Sequence, residues 1–469
     1  MTSPLKMLLF TNAEHGQANV FLAVAYELVL RNVDVHLASF PPLQKRLTQL
    51  GQRLPEFEKV TFHPIAGASV EDAFGRMGRI SVTELYHPPG VRGALQSYRY
   101  LENLLFPWTA EEYHQQLLVI QGIVERVSPG MVILESSFKG PFDVCKKLGQ
   151  RCVVLTPNSP KDFFGMTQPF LKGFWKYPVS SSGFPYPVPF TRIPANIYLN
   201  LRLILQYVTS STVKSYNKMR KDVHGLTQAL IGQPSRDIPF IFPAFPETEF
   251  PGFVFPPNVL LCGPIVLPSA PVEVCDPETS RWLNRPGMKT VLVNLGSHVL
   301  SNIEHIRELG GGLRILLSKF NDVQVLWKVM EDGEIQDVLA QVVDPEKIKI
   351  VSWLEAEPGA ILRHPNVICS VHHGGANSFF EAVSAGVPQV VLPIWYDTYD
   401  YARRAEYFGI GVYGNVKSAP GADAEEFGHA LIKVIGVKEF TVKAKELAEG
   451  HSDEEGRKQA VQKILGFMS

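Results

Sequence analysis

Short apolar runs alternate with amphipathic stretches along most of the chain, and this alternation predicts β-strands that are separated by α-helices. The first unit is a buried strand over residues 7–11, a helix over 17–31 with apolar positions at helical spacing, and a strand over 33–39. Strands over 130–135 and 151–156, with a helix over 142–149 between them, continue the pattern. The order predicts a parallel sheet with right-handed crossovers.

The same alternation resumes after a proline-rich stretch and predicts a second α/β domain. Its strands are predicted over 290–295, 323–329, 348–353, 366–371 and 389–392, and its helices over 303–319, 423–435 and 438–449. A chain of 469 residues is also too long for one typical domain. We therefore predict an N-terminal domain over 1–264, a linker over 265–285, a C-terminal domain over 286–452 and a last helix over 453–469.

Residues 157–200 fit neither periodicity, because aromatic residues and prolines dominate them. Long irregular segments inside a domain are usually functional, so we expect this one to line an apolar ligand cleft. A satellite hydrophobic core is the alternative interpretation. The ligand-binding side chains predicted in and near this segment are Phe138, Phe163, Phe164 and Trp175. A helix is predicted over 201–230.

Composition narrows the class of function. The chain has 45 basic and 46 acidic residues, a formal net charge of −1, which excludes a protein that binds nucleic acid by displacing its counterions. Its five cysteines are scattered and lack CxxC spacing, which indicates buried thiols in a reducing compartment. No run of 18 apolar residues and no signal-peptide pattern are present, so we expect no membrane span and a cytoplasmic location.

The stretch from His372 to Glu381 has the pattern of a phosphate site. A buried strand ends at the histidines, Gly374 and Gly375 form a turn, and a helix capped by Asn377 or Ser378 follows. A helix N-terminus behind a glycine turn offers backbone N–H groups and the positive end of the helix dipole to an anion. His372 and His373 alternate across the strand, so only one of them is expected to face the ligand.

Two further features of the second half fit the same site. Gly296 and Ser297 form another small-residue turn after a strand, which is placed to hold a second phosphate from the opposite side. Trp353 ends a neighbouring strand, and its indole is suited to stacking on a nucleobase. No acidic or cysteine residues stand at metal-ligand spacing, so no metal site is predicted.

Two residues of the first half are candidates for acid–base chemistry. His15 follows the first strand, and ligands of open α/β sheets bind at the carboxyl ends of strands. Glu135 ends a predicted neighbouring strand, and a carboxylate on one imidazole nitrogen makes the other nitrogen a better base. The alternatives are a capping or surface histidine and a solvated or capping glutamate.

One set of residues in the second half has the spacing of a family signature: Trp353, His373, Gly374, Gly375, Asn377, Ser378, Glu381, Gly386, Val387, Pro388, Pro393 and Asp397. It resembles the family of UDP-dependent glycosyltransferases of small lipophilic molecules, and residues 396–402 are similar to filamentous-fungal members. The resemblance covers about residues 290–415, with a shorter match at His15. It implies a GT-B fold, in which two Rossmann-like domains face each other across a cleft and the last helix crosses back to the N-terminal domain.

The resemblance also implies roles for the donor site. Trp353 would stack on uracil, and Glu381 would accept hydrogen bonds from the ribose hydroxyls. Ser297, His373 and Ser378 would bind the diphosphate, in the turns that contain Gly296 and Gly375. Asn377 would hold phosphate or the turn, and Asp397 would bind sugar hydroxyls. Thr398 stands where the family commonly has a Gln that binds the sugar, so the identity of the sugar stays open.

The implied reaction is transfer of a sugar, with glucose as the first expectation, from a UDP-sugar to a hydroxyl of a small lipophilic acceptor. His15 would act as the general base, and Glu135 would take the place of the Asp that usually orients the histidine. The resemblance implies inversion at the anomeric carbon and no metal or other cofactor. A sugar-nucleotide epimerase and a non-catalytic UDP-sugar-binding protein are the alternatives.

Overall fold

Two parallel β-sheets, one from each half of the chain, form the framework of the molecule. The computed structural model describes residues 5–76, 82–228, 237–296, 299, 302–330, 333–451 and 453–468. Among these residues the first sheet has seven strands and the second has six, and every strand pair is parallel. Ser297, which is predicted to bind phosphate, lies outside the described residues.

The first sheet has the strand order β3-β2-β1-β4-β5-β6-β7. Its strands are β1 (Lys6–Phe10), β2 (Asp34–Ser39), β3 (Thr61–Pro64), β4 (Met131–Glu135), β5 (Cys152–Leu155), β6 (Phe240–Phe242) and β7 (Val259–Leu261). The helices of this half are α1 (His15–Leu30), α2 (Pro41–Arg53), α3 (Val70–Arg76), α4 (Val91–Leu105), α5 (Ala110–Val127), α6 (Lys139–Leu148), α7 (Pro160–Phe164), α8 (Lys172–Trp175), α9 (Ile193–Thr209) and α10 (Ser211–His224).

The second sheet has the order β10-β9-β8-β11-β12-β13. Its strands are β8 (Lys289–Asn294), β9 (Val323–Lys328), β10 (Ile348–Val351), β11 (Val367–His372), β12 (Gln389–Val391) and β13 (Gly411–Tyr413). The helices of this half are α11 (Val272–Cys275), α12 (Pro277–Leu283), α13 (Ile303–Lys319), α14 (Gly333–Val342), α15 (Pro358–Leu362), α16 (Ala376–Ser384), α17 (Thr398–Tyr407), α18 (Ala424–Gly436), α19 (Lys438–Ala448) and α20 (Asp453–Gly466).

The strand order reverses direction at one point in each sheet. In the first sheet β1 lies between β2 and β4, and in the second sheet β8 lies between β9 and β11. Loops that leave the carboxyl ends of the two strands at such a point diverge to opposite faces and leave a crevice between them. The loops after β1 and β4, and those after β8 and β11, are therefore the places where this topology accommodates ligands.

Each sheet is covered on both faces by apolar helices. Along β1, Met7 and Leu9 pack into one hydrophobic cluster, and Leu8 and Phe10 pack into another on the opposite face. In the second half, three consecutive glycines allow α13 to pack closely against its neighbours. A Cβ on Gly312 would lie 2.5 Å from the ring of Phe427 in α18, so close helix packing explains this glycine run.

The last helix packs on the first half of the chain. Ala460, Val461 and Ile464 of α20 belong to the same hydrophobic cluster as the buried face of α1. Gly456 lies so close to Pro264 that a Cβ would stand 1.9 Å from its carbonyl oxygen. The polypeptide thus returns to the N-terminal half after completing the second sheet. The domain boundaries at 264, 285 and 452 stay predictions from the sequence.

The region from 157 to 230 differs from its prediction. Three helices, α7, α8 and the beginning of α9, lie within the segment predicted to be irregular, and the helix predicted over 201–230 is two helices. The break falls at Ser210, whose hydroxyl accepts a hydrogen bond from the backbone N–H of Val213 at 2.9 Å and so caps α10. Residues 229 and 230 lie outside the described part of the chain.

Candidate functional site

A single cavity of about 1520 Å³ lies between the carboxyl ends of the two sheets. Loops from both halves of the chain line it, including those that follow β1, β4, β5, β8, β11 and β12. The lining contains ten of the predicted site residues: His15, Phe163, Gly296, Trp353, His373, Gly375, Asn377, Ser378, Glu381 and Asp397. The volume exceeds that of an ordinary drug-sized pocket, so the cavity has room for two ligands at once.

His15 lies where the two halves meet. It is the first residue of α1, directly after the loop that leaves β1 at the reversal point. Its ring centroid is 5.8 Å from that of Trp353 in an edge-on arrangement. One residue further, the backbone carbonyl of Gly16 accepts a hydrogen bond from Asn377 Nδ2 at 3.1 Å. The start of α1 is therefore held directly against the start of α16.

Glu135 is fully buried beneath the β1 loop and fixes its shape. Its carboxylate accepts hydrogen bonds from Asn12 N at 2.5 Å, Asn12 Nδ2 at 3.1 Å, Thr11 Oγ1 at 3.1 Å and Ser137 Oγ. Burial raises its pKa, and these donors act in the opposite direction. Whatever else it does, Glu135 holds the residues that precede His15 in place.

Glu14 is a second acidic group beside His15 that was not predicted from the sequence. It lines the cavity, and its pKa is raised to about 7, mainly by burial and further by the charge of Glu135. A carboxyl group with this pKa changes charge near neutral pH. No motif marks Glu14, since it is an ordinary acidic residue before a helix.

His373 is held between two glycines. A Cβ on Gly296 would lie 2.8 Å from the Cε1 atom of its ring, and a Cβ on Gly375 would lie 2.7 Å from Nε2. Gly296 also has φ +94°, which favours glycine. The two turns that were predicted to hold phosphates are thus joined by the imidazole of His373, which lines the cavity.

His372 faces away from the cavity, as the alternation along the strand requires. It is 1 % exposed, and its Nε2 lies 2.8 Å from Gln389 Oε1. Its Nδ1 accepts a hydrogen bond from Gly374 N at 3.0 Å. Burial lowers its pKa to about 4, so this histidine is neutral and serves the turn structurally.

Trp353 and Glu381 line the cavity from the second half of the chain. Trp353 is 48 % exposed, with Lys328 Nζ 4.4 Å from the centre of its ring, so one face carries a cation. Glu381 is buried, and its pKa is raised to about 8, mainly by burial and then by Glu357, while Arg363 and Arg46 oppose the shift. A buried carboxyl group and an exposed indole in the lining of one cavity suit a ligand that offers hydroxyls and a flat ring.

Asp397 and Thr398 are neighbours with different surroundings. Asp397 lines the cavity and accepts a hydrogen bond from Asn158 Nδ2 at 3.3 Å; burial and then Asp162 raise its pKa to about 7. Thr398 is fully buried, and its hydroxyl accepts hydrogen bonds from Ile394 N at 3.2 Å and Trp395 N at 3.1 Å. The Thr398 side chain therefore closes the turn before α17 and does not belong to the cavity lining.

The predicted aromatic ligand contacts are divided between cavity, core and surface. Phe163 lines the cavity. Phe138 is fully buried against Phe40, with ring centroids 5.7 Å apart. Phe164 is 3 % exposed and packs against the Phe240 ring. Trp175 faces outward at 40 % exposure. For Phe138 and Phe164, the core alternative describes the structure.

The apolar end of the cavity comes mostly from segments whose role was not predicted. Two of its side chains lie between α7 and α9, within the segment predicted to line an apolar cleft, and the others belong to α4, the loop after it and α9: Met166, Phe174, Leu101, Leu104, Leu105, Phe106, Trp108, Leu203 and Tyr207. The amphipathic spacing of residues 91–105 indicates a helix but gives no sign of a cavity. These residues provide room for a large apolar ligand next to His15.

The raised pKa of Glu381 gives a testable pH dependence of stability. The folded protein holds a proton on Glu381 up to about pH 8, whereas the unfolded chain releases it near pH 4.5. Between these values the folded state binds more protons, so the free energy of unfolding falls as pH rises. We expect urea unfolding from pH 5 to 8 to show that the free energy of unfolding falls less steeply with pH in Glu381→Gln than in wild type. The expected difference in slope is about 1 kcal/mol per pH unit. Parallel curves would contradict the raised pKa.

Comparison with known proteins gives concordant matches. The family model described as UDP-glucoronosyl and UDP-glucosyl transferase matches residues 177–457. The chain is 36 % identical to "Glycosyltransferase sdnJ" of Sordaria araneosa, over 92 % of this chain and 90 % of that protein. A solved UDP-glucosyltransferase from Polygonum tinctorium, described as capable of glucosylating indoxyl and 3,4-dichloroaniline, has a TM-score of 0.66 at 16 % identity and covers 100 % of this chain and 99 % of that one. The crystal structure of the kitacinnamycin glycotransferase has a TM-score of 0.64 at 15 % identity and covers 99 % and 100 %.

Proposed function

Since the chain belongs to the UDP-glucoronosyl and UDP-glucosyl transferase family and has the GT-B fold, we propose that it transfers glucose from UDP-glucose to a hydroxyl group of a small lipophilic acceptor, with inversion. The chain is a glycosyltransferase of this family that acts on small-molecule acceptors. Glucose, the catalytic residues and the nature of the acceptor are the proposal.

In this proposal the second half of the chain holds the UDP-sugar. Uracil stacks on the exposed face of Trp353, and the ribose hydroxyls donate to Glu381. The backbone N–H groups at the start of α16, Ser378 and the His373 imidazole receive the diphosphate. Asp397 accepts from hydroxyls of the sugar, next to the loop after β5 that carries Asn158.

The apolar end of the cavity receives the acceptor, whose hydroxyl points to His15. His15 removes the hydroxyl proton as the acceptor oxygen forms a bond to the anomeric carbon. The bond between that carbon and the UDP oxygen breaks on the opposite face, and its electron pair leaves with UDP. An α-linked donor therefore gives a β-glycoside. The start of α16 and His373 stabilise the charge of departing UDP, so the proposed step uses no metal.

The observation that carries the proposal is the direct contact between the two helix starts. His15 lies 5.8 Å from Trp353 between ring centroids, and Gly16 accepts a hydrogen bond from Asn377. A candidate base and the turn suited to a leaving diphosphate thus face one cavity from opposite domains. A sugar held between them would have its anomeric carbon within reach of both.

The two alternative functions, a sugar-nucleotide epimerase and a non-catalytic binding protein, explain this geometry less well. A sugar-nucleotide epimerase needs no second ligand, yet the cavity extends into an apolar chamber beyond His15. A binding protein without activity needs no group placed as His15 is. The large apolar chamber therefore favours transfer to a lipophilic acceptor.

The direct test is to incubate the protein with UDP-glucose and a panel of phenolic and polyketide alcohols and to detect products by mass spectrometry. Transfer predicts glucosides and a release of UDP that requires an acceptor. Release of UDP, or conversion of the sugar, without any acceptor would favour the epimerase. Thermal stabilisation by UDP with no turnover on any alcohol would favour the binding protein.

The variant Gly375→Ala tests the donor site independently of the acceptor, with Gly436→Ala as its control. Gly375→Ala introduces a Cβ 2.7 Å from His373 Nε2, so the ring must move away from the phosphates. Loss of one charge-assisted hydrogen bond is expected to weaken UDP binding about 10- to 100-fold by calorimetry. Gly436→Ala is the matched control, because its Cβ meets only Phe320 at 3.7 Å. Equal UDP affinity in both variants would exclude His373 from the phosphate site.

A further inference from the structure

Helix α9 has an apolar stripe that no part of the described chain covers. Ile197, Leu201, Ile204, Leu205 and Val208 are between 37 % and 67 % exposed. Their spacing of three and four residues places them on one face of the helix. The opposite face, with Asn196, Leu199, Asn200 and Leu203, is buried against the domain. Both faces of α9 therefore have apolar side chains. A helix whose outer face contacts only water normally has polar side chains on that face.

Large side chains next to α9 are exposed as well. Phe170 and Leu171, just before α8, are 86 % and 67 % exposed, and Phe190, just before α9, is 88 % exposed. The elements adjoin one another, since Asn196 Nδ2 of α9 donates to the carbonyl of Phe174 in α8 at 2.9 Å. We call the set formed by Phe170, Leu171, Phe190 and the α9 stripe the apolar surface.

The loop that presents Phe170 is held in a costly conformation. Phe170 and Leu171 have φ values of +57° and +54°, a region that residues with a side chain rarely adopt. Trp175 Nε1 donates to the Phe170 carbonyl at 3.0 Å and fixes the turn. Two large apolar side chains are therefore held in solvent by an unfavourable backbone conformation, which points to a function for them outside the core.

The chain segment that carries the apolar surface is basic, although Glu102 of α4 reaches the end of α9 and accepts a hydrogen bond from Ser210 Oγ at 2.7 Å. No acidic residue occurs from residue 163 to 221, although the chain as a whole has a net charge of −1. The same stretch contains eight basic residues: Lys172, Lys176, Arg192, Arg202, Lys214, Lys218, Arg220 and Lys221. Arg220 is buried against Asp143. Of the others, Arg202 lies on the exposed side of α9, and Lys172 Nζ lies 5.9 Å from the centre of the Phe170 ring.

The apolar surface borders the mouth of the acceptor end of the cavity. Ile204 and Val208 are exposed and also line the cavity, and Phe174 of α8 lines it from the other side. A ligand that moves along the apolar surface can therefore enter the cavity without crossing a polar rim at α9.

We propose that the apolar surface docks the enzyme on an anionic lipid bilayer. Aromatic and aliphatic side chains at protruding positions, with basic residues around them, are the combination by which proteins insert into the interface of a membrane. Among the described helices none is long and apolar enough to span a bilayer, so the contact is with its surface. Given the proposed function, a lipophilic acceptor then enters the cavity directly from the membrane.

Charge is what favours a bilayer over a second copy of the chain. Two copies that met through this surface would bring their basic residues together, and no acidic side chain from 163 to 221 would compensate them. An anionic lipid surface supplies the opposite charge at every point of contact.

The test is co-sedimentation of the purified full chain with vesicles, which needs no turnover and no acceptor. Vesicles of phosphatidylcholine with phosphatidylserine are expected to pellet several-fold more protein than vesicles of phosphatidylcholine alone, and added salt is expected to reduce the difference. The triple variant Phe170→Ser, Phe190→Ser, Leu201→Ser is expected to lower the partition coefficient about tenfold or more. None of these three side chains lines the cavity.

A matched control removes apolar side chains elsewhere. Val274 and Val442 are 72 % and 51 % exposed on α11 and α19, and their double serine variant is expected to bind vesicles like wild type. The proposal fails if wild type does not bind anionic vesicles, or if both variants lose binding equally. It also fails if the protein self-associates without lipid and the triple variant alone is monomeric, which would make the surface a contact between copies.

Discussion

Replacement of His15 by alanine is expected to lower the turnover number about 10²- to 10⁴-fold and to leave the affinity for UDP close to that of wild type. The imidazole lies at the start of α1, lines the cavity and is 5.8 Å from the Trp353 ring, and in the proposed mechanism it acts on the acceptor hydroxyl. The loss corresponds to about 3–5 kcal/mol of transition-state stabilisation. Initial rates with saturating UDP-glucose, together with calorimetry of UDP binding, measure the two quantities separately.

His429→Ala is the control for this variant, because His429 is exposed on α18, away from the cavity. It is expected to leave both quantities unchanged. If His15→Ala turned over like wild type, water or another group would have to take the proton, and the assignment of the base would fail. If UDP affinity fell as far as the rate, His15 would belong to donor binding.

Glu135 is a positioning residue in this scheme, and its contribution is distinguishable from that of His15. Its carboxylate satisfies Asn12 N, Asn12 Nδ2 and Thr11 Oγ1 in a fully buried setting. Loss of that acceptor leaves buried donors unpaired, at a cost of about 1–3 kcal/mol for each group. Glu135→Ala therefore acts on stability as well as on rate, and we expect its rate loss to be smaller than that of His15→Ala.

The sequence predicted the central strands of both sheets and the glycine turns because both depend on local signals, whereas the short strands β3, β6 and β13 were not predicted. Runs such as 7–11 and 366–371 are mostly apolar, as strands buried on both faces are, and parallel strands are usually joined by a helix. The turn at Gly374 and Gly375 could be recognised for the same reason, since its conformation depends on residues that are adjacent in sequence.

Part of the segment 157–200 lines the cavity as expected, but the individual side chains of the acceptor end could not be predicted, because they depend on contacts between segments that are distant in the chain. Phe138 and Phe163 are both aromatic residues after a strand, yet one is fully buried beside Phe40 and the other lines the cavity. A core and an apolar cavity wall use the same residue types. Only the three-dimensional placement of α4 and α9 decides which side chains face the space between them.

Ion pairs between the two halves of the chain are the second feature that could not be predicted from the sequence. Arg404 and Asp400 lie on α17, directly after Asp397, whereas their partners Glu249 and Lys161 lie about 150 or more residues earlier. Three of these four side chains are 3 % exposed or less, and the fourth, Lys161, is 4 % exposed. Buried charges of this kind stabilise only as complete pairs.

Arg404→Met is accordingly expected to lower the free energy of unfolding by about 3–5 kcal/mol, because it leaves Glu249 charged and buried. Arg404 Nη2 lies 2.7 Å from Glu249 Oε1, Nη1 donates to the Thr248 carbonyl at 2.7 Å, and the guanidinium stacks 4.5 Å from the centre of the Phe250 ring. Urea unfolding measures the loss. Lys458→Met, which removes an exposed pair with Glu454, is the control and is expected to change nothing measurable.

The double variant Arg404→Met, Glu249→Met decides whether the pair stabilises the fold or only avoids a penalty. Apolar replacement of both partners removes the unpaired charge, so most of the lost stability is expected to return. UDP-glucose affinity, which Arg404→Met is also expected to lower, is expected not to return with it. Asp397 begins the turn that leads into α17, and the N-terminal half holds that helix through Arg404 and through the 2.6 Å contact of Lys161 Nζ with Asp400 Oδ2. Recovery of stability without recovery of UDP-glucose affinity would show that the pair positions the sugar site; recovery of both would show that its effect is on folding alone.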